Sequence, residues 1–174
     1  MRRMMWAAAI GLGLLGAGGC GYHTLGGATH LPQGVRTLAV PVFQTKTTLN
    51  HTETTMTQAV VRELLTRTRL RVVPSSDPDA DATLHGTILS QVVTPLTYNS
   101  VTQESSSFLI TVVVSAKLVA QDGHVLYAND NYVFRQQYQS TTDLTTYLQE
   151  APAAMQRLSE DLARALVSDM LESF

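Results

Sequence analysis

The sequence predicts an α+β fold, a two-layer sandwich in which two helices cover one face of a four-stranded mixed sheet, in the order βαβββα. Three observations predict it. Between residues 82 and 135, three stretches alternate apolar and polar side chains with a period of two, as strands with one covered and one polar face do. Two further stretches, around residues 50–68 and 144–166, carry apolar residues at spacings of three and four, the pattern of amphipathic helices. The length, 174 residues, holds one core comfortably and not two.

Each element has its own signal. Thr37–Phe43 is apolar enough for a first strand, and Pro41, which has no N–H to donate, places it at an edge or a bulge. Asn50-His51-Thr52-Glu53 reads as a capping box that opens the first helix. Met56, Val60 and Leu64 form its buried stripe, with Val61 and Leu65 beside them. Asp77-Pro78-Asp79 is a turn. In the first long strand Ala82, Leu84, Gly86, Ile88 and Val92 fall on the core face, and Thr83, His85, Thr87 and Gln91 on the other. In the second, Phe108, Ile110, Val112, Val114, Ala116 and Leu118 oppose Thr111, Ser115 and Lys117. Asp122-Gly123 turns the chain into the third. There Leu126, Ala128, Tyr132 and Phe134 alternate with Asn129, Asn131 and Arg135, and Asp130 on the core face calls for a bulge at Asn129–Asn131. Met155, Leu158, Leu162, Ala165 and Leu166 line the last helix, whose upstream extension through Leu144, Leu148 and Ala151 is separated or kinked at Pro152.

Composition narrows the function. Twelve Lys and Arg against fourteen Asp and Glu leave a net charge of −2, with no basic run to neutralise nucleic-acid phosphates. The single cysteine, Cys20, excludes an internal disulfide. Arg2 and Arg3 precede a short apolar run from Trp6 to Gly18, the length of a signal-peptide core and too short to span a bilayer. Ala17-Gly18-Gly19-Cys20 then looks like a bacterial lipobox. In that reading residues 1–19 are a signal peptide cleaved between Gly19 and Cys20. Cys20 then carries N-acyl and S-diacylglycerol chains, which together hold a membrane where one chain does not. Residues 20–35 form the acylated N-terminus and a turn-rich linker, and 36–174 form the single α/β domain. Removing Arg2 and Arg3 leaves ten basic against fourteen acidic residues, or −4. Gly21 after the cysteine, in place of an inner-membrane-retention Asp, resembles an outer-membrane address.

Enzyme chemistry finds no support. With Cys20 acylated no thiol nucleophile remains, and His23, His30, His51, His85 and His124 are too scattered to pair as metal ligands. Ser105-Ser106-Ser107 lacks a nucleophile-elbow context. Asp77, Asp79 and Asp81 resemble a calcium loop only at its start, with Pro78 intervening and no glycine or closing glutamate at the required offsets. No metal and no cofactor beyond the covalent lipid is expected.

These features together resemble the LptE family of outer-membrane lipopolysaccharide-assembly lipoproteins. The residues that carry the resemblance are Cys20-Gly21-Tyr22-His23, Leu38-Ala39-Val40-Pro41-Val42-Phe43, and the run Ala80 to Ile88, which looks like that family's AD-x-x-L-x-G-x-I. Tyr98 and the alanine-rich last helix fit as well, while Gln44-Thr45 departs from the Asn-x-Thr-like run expected there. The resemblance spans residues 20–174. It implies a non-enzymatic protein, lipid-anchored at the periplasmic face of the outer membrane. Such a protein plugs the large barrel LptD, assists its assembly, and helps pass lipopolysaccharide to the outer leaflet. It also implies basic residues that meet lipopolysaccharide phosphates, and here only Lys117 and Arg135 lie between Arg71 and Arg157. They stand six residues apart along neighbouring strands, roughly 20 Å at 3.3 Å per residue, too far for one phosphate clamp. Ordinary surface charge is the competing reading of both. Two other functions suit the same fold: a pilot or scaffold lipoprotein for another outer-membrane pore such as a secretin, and a periplasmic binding domain with an apolar pocket between sheet and last helix.

Cys20→Ser is expected to leave an uncleaved, unlipidated precursor. Gel mobility and membrane fractionation check it, and mature-sized protein in the outer-membrane fraction would contradict the lipobox.

Overall fold

The computed structural model describes residues 34–47, 52–73, 75–99, 104–139 and 144–173. The elements are β1 (Thr37–Ala39), β2 (Gln44–Thr45), α1 (Thr52–Arg67), β3 (Arg71–Val73), β4 (Ala82–Asn99), β5 (Glu104–Ala120), β6 (Val125–Gln139) and α2 (Leu144–Glu172). They form one mixed sheet ordered β3-β1-β4-β5-β6, with β2 also pairing β4. The three long strands run antiparallel. β1 lies parallel to both β3 and β4, and β2 parallel to β4. The two helices pack on each other, α2 lies along β6 and α1 adjoins β3. This is the α+β two-layer sandwich that the alternation predicts, with six strands in place of four.

The extra strands have simple causes. β3 is three residues long, too short for any period to show. The first strand is interrupted at Pro41: Leu38 and Ala39 face Ala82 and Thr83, whereas Gln44 and Thr45 face Thr87 and Ile88. Five residues of this segment thus advance against four of β4, the bulge that a proline in a ladder requires. At its end Phe43 donates its N–H to Thr57 Oγ1 at 2.9 Å, which ties the strand to α1.

The core gathers between the helices and one sheet face. Leu38, Val40 and Phe43 meet Met56, Val60 and Leu64 of α1, Leu84 and Ile88 of β4, Val112, Val114 and Leu118 of β5, and Leu158, Leu162, Leu166 and Met170 of α2. The space expected to hold an apolar pocket between β5 and α2 is therefore filled by buried side chains. Gly86 has a specific reason to be glycine. A Cβ there would sit 2.5 Å from the Phe43 ring, which is itself 2% exposed and has nowhere to go. Asp81, two residues after the Asp79 turn, accepts the N–H groups of Arg36 and Thr37, each at 2.8 Å. These two backbone donors, Thr37 first, hold the Asp81 carboxyl below the usual carboxylate range.

Three bulges change which face side chains take. On β4, Ile88 faces Val114 but Ser90 faces Val113, so Leu89 is the extra residue. The side chains from Ser90 to Pro95 change face, up to further register shifts on both sides of Thr97. Gln91, predicted to point outward, now shares a row with the buried Val112 and accepts a hydrogen bond from Thr52 Oγ1 at 2.9 Å. Val92, predicted in the core, is 53% exposed on the opposite face. On β6 the expected bulge is present: Ala116 faces Asn129 and Val114 faces Tyr132, leaving one extra residue between. A second extra residue, Leu126, shifts the start of β6, so Ala128 pairs with Lys117 on the outward face. The prediction that Ala128 is core and Asn129 outward is thereby reversed, and Tyr127 pairs with the buried Leu118.

The last helix is continuous across Pro152, neither split nor preceded by a separate helix. Near its C-terminal end Asp169 Oδ2 accepts the Tyr132 hydroxyl at 2.8 Å, and Tyr127 hydrogen-bonds the same phenol. Burial, then Tyr127 and Asp169, push the Tyr132 phenol far above its ordinary range, so it stays a neutral donor. The Asn50 and His51 of the predicted capping box lie outside the described residues.

Gly86→Ala is expected to cost about 1–3 kcal/mol by overpacking, read from urea unfolding, and Phe43→Leu in the same chain should recover part of it. Asp81→Asn removes a carboxylate whose folded pKa is depressed. The stability it contributes is complete above about pH 4, the unfolded value, and is lost as pH falls through the lower folded value. The deficit of the variant against wild type should therefore shrink on acidification, as measured by denaturation at stepwise pH.

Candidate functional site

The helices cover one sheet face; the other carries the candidate site. β4 contributes Thr83, His85 and Thr87 and, past the Leu89 bulge, Ser90, Val92 and Thr94. β5 contributes Leu109, Thr111, Val113, Ser115, Lys117 and Val119, and β6 contributes Ala128, Val133, Arg135 and Gln137. Pairing arranges them in rows across strands about 4.8 Å apart. His85, Lys117 and Ala128 form one row; Ser90, Val113 and Val133 another; Val92, Thr111 and Arg135 the next; Thr94, Leu109 and Gln137 the last.

The face thus has two halves. Near the Asp122-Gly123 turn it is polar, lined by Thr83, His85, Thr87, Ser115 and Lys117. Farther out, Arg135 stands opposite Thr111, with Val133, Val113 and Leu109 in the adjoining rows and Val92 beyond Thr111 on β4. The strands also outrun the helices. β4 has 18 residues, roughly 60 Å at 3.3 Å each, while the 16 residues of α1 span about 24 Å. Val92, Val93 and Leu96 are exposed in that outer stretch.

The two basic residues singled out in the sequence do not converge. Arg135 faces Thr111, as the alternation requires, and Lys117 faces Ala128 six residues back along β5. Their surroundings differ. Lys117 Nζ lies 3.7 Å from Asp130 Oδ1, the acidic residue delivered outward by the β6 bulge. Both side chains are more than half exposed, so this pair contributes at most about 1 kcal/mol and weakens with salt. Arg135 has no ion pair among the described residues. Cys20 and Gly19, the proposed lipidation and cleavage positions, lie outside them.

Val92 escaped sequence reasoning because strict alternation was carried through Leu89, whereas Leu109, Val113 and Val133 already fall outward by alternation. The signal was present in Ile88-Leu89-Ser90, where two apolar residues adjoin and the phase breaks. A second surface feature lies elsewhere: a groove of about 330 Å³ on the outer side of α1, lined by Val42, Thr54, Thr57, Gln58, Val61, Arg62 and Leu65. Among the described residues, no three His, Cys, Asp or Glu side chains stand close enough to hold a metal ion. No helix among them is long and apolar enough to cross a membrane.

Comparison with known proteins places this architecture. The LptE family model, described as lipopolysaccharide-assembly, matches residues 35–170. The fold is similar to that of rare lipoprotein B from Shewanella oneidensis, at a TM-score of 0.53 and 11% identity, covering 77% of this chain and 95% of that one. It is also similar to a hypothetical protein from Chlamydia trachomatis, at a TM-score of 0.52 and 12% identity, covering 78% and 95%. A search of curated proteins gives no match. With the family match extending from β1 to the end of α2, the chain belongs to the LptE family of lipopolysaccharide-assembly lipoproteins.

Proposed function

We propose that this protein serves as the plug and assembly partner of an LptD-type outer-membrane barrel, held at the periplasmic face by lipid chains on Cys20. The observation that carries the reading is the uncovered face of the three long strands. It is lined by Thr, Ser, His and Val, and its charges are the Lys117–Asp130 pair and Arg135. A polar lumen wall can satisfy hydroxyls and amides through hydrogen bonds, whereas burying unpaired charges against it would cost several kcal/mol each. A face with few charges is suited to such a wall. Membership of the family supports the same partner and argues for a role in assembly rather than catalysis.

Direct contact with lipopolysaccharide would fall to Arg135 and Lys117. The Arg135 guanidinium, without an ion pair among the described residues and with Leu109, Val113 and Val133 in the adjoining rows, offers a phosphate donor beside apolar surface for acyl chains. Lys117 would first have to leave Asp130.

Purification of the tagged protein in mild detergent tests the partnership: a large β-barrel should co-purify, and recovery of the protein alone would overturn it. The Lys117→Ala, Arg135→Ala double variant should lose glycolipid binding while keeping the barrel, with most of the loss carried by Arg135→Ala. Unchanged binding in a direct glycolipid titration would remove both residues from the site.

A further inference from the structure

The sheet has two edges, and they are defended unequally. One edge is closed by β3, three residues long and too short to template another strand, and by β1 and β2, which pair β4 only up to Ile88. Beyond it the open side of β4 from Ser90 to Asn99 carries Pro95 and register shifts on both sides of Thr97, which defend it. The other is β6, fifteen residues with no neighbour beyond it among the described residues. Its first half is broken by extra residues at Leu126 and at Asp130–Asn131, irregularities that twist an edge away from pairing. Its second half is unbroken. From Tyr132 to Gln139 every residue pairs one-for-one with Val114 back to Ser107 of β5, with no bulge, proline, lysine or carboxylate. Of the usual defences of an exposed edge, only the charge of Arg135 remains beyond Tyr132.

We infer that the Tyr132–Gln139 edge is a docking strand for a second copy of this chain, the two β6 strands pairing antiparallel to form one continuous sheet about a two-fold axis. The stretch is complementary to itself. Two residues that pair across antiparallel strands share a face, so a symmetric register must be centred on a residue. Centring on Arg135 would set like charges opposite each other, which is destabilising. Centring on Phe134 would carry the pairing back into the irregular Asn129–Asn131 segment. Centring on Gln136 avoids both and pairs all seven residues from Val133 to Gln139. Arg135 then faces Gln137 of the second copy, and Phe134 faces Tyr138, an aromatic cross-strand pair of the kind that stabilises sheets. Gln136 faces its own equivalent. The inference stands on the edge alone and does not require the barrel reading.

The test uses the full lipidated protein, purified in detergent without any barrel. Gln136→Cys should form a disulfide-linked dimer under mild oxidation. Arg135→Cys and Gln137→Cys should each yield roughly tenfold less, because in this register each stands diagonal to its own copy, beyond the Cα separation a disulfide tolerates. Mixing those two variants should restore the cross-link. The unsubstituted chain supplies the baseline. Gln137→Lys, which places an ammonium opposite Arg135, should convert the dimer to monomer by light scattering with an unchanged circular dichroism spectrum. A monomeric wild type would overturn the inference. So would equal cross-linking at all three positions, or a Gln136→Cys adduct with a different protein.

Discussion

The joint between the first strand and β4 organises the rest of the molecule. β1 must lie parallel to β4, so its position is set by contacts far apart in sequence. Asp81 fixes the lower end by accepting the N–H groups of Arg36 and Thr37. Gly86 fixes the upper end by leaving room for the Phe43 ring. Phe43 in turn hangs from Thr57 of α1 through its own N–H. One carboxylate, one missing side chain and one ring thereby determine where β1 sits, how α1 crosses the sheet, and which face is left for other molecules. The run Ala80 to Ile88, which carries the family resemblance, has a physical reason at each of its marked positions. Ala80, Leu84 and Ile88 are buried, Asp81 captures two donors, and Gly86 seats the ring.

The bulges complete the division of labour between the faces. Without the extra residue at Leu89, Val92 would be buried and Gln91 would face outward. With it, Gln91 satisfies Thr52 on the helix side and Val92 joins Val113 and Val133 beside Arg135. The β6 bulge likewise moves Asp130 from the core to a position 3.7 Å from Lys117. The two basic residues of the outward face therefore differ in electrostatic setting: Lys117 is paired with Asp130 near the hairpin turn, and Arg135 has no ion pair among the described residues. A phosphate group approaching Lys117 competes with a carboxylate.

Much of this was legible in the sequence, because the pattern that encodes it is local. Sustained alternation in β5 located Ile110, Val112, Val114, Ala116 and Leu118, all buried as expected. The 3.6-residue period located Leu158, Leu162 and Leu166 in α2. The awkward position of Asp130 announced its bulge. What escaped was whatever depends on distant partners. Arg71–Val73 becomes a strand only because β1 is beside it. The Leu89 bulge is decided by the register with β5, and Asp81 acts on residues some 45 positions away. For the outward face, the charged residues and Leu109, Val113 and Val133 were readable one by one, but Val92 joins them only after a phase change on β4.

The same connectivity has a consequence for how the chain reaches its native state. β4, β5 and β6 are consecutive and joined as a meander, so their pairing closes short loops and is entropically cheap. β1 pairs with β3 across more than thirty residues and with β4 across more than forty, and β2 pairs with β4. In a chain delivered amino end first, β1 emerges more than forty residues before β4, the strand that joins it to the meander. Until residues 82–88 arrive, Leu38, Val40 and Phe43 have beside them only the three residues of β3. The apolar first strand must therefore wait without its main partner, a target for chaperones and proteases.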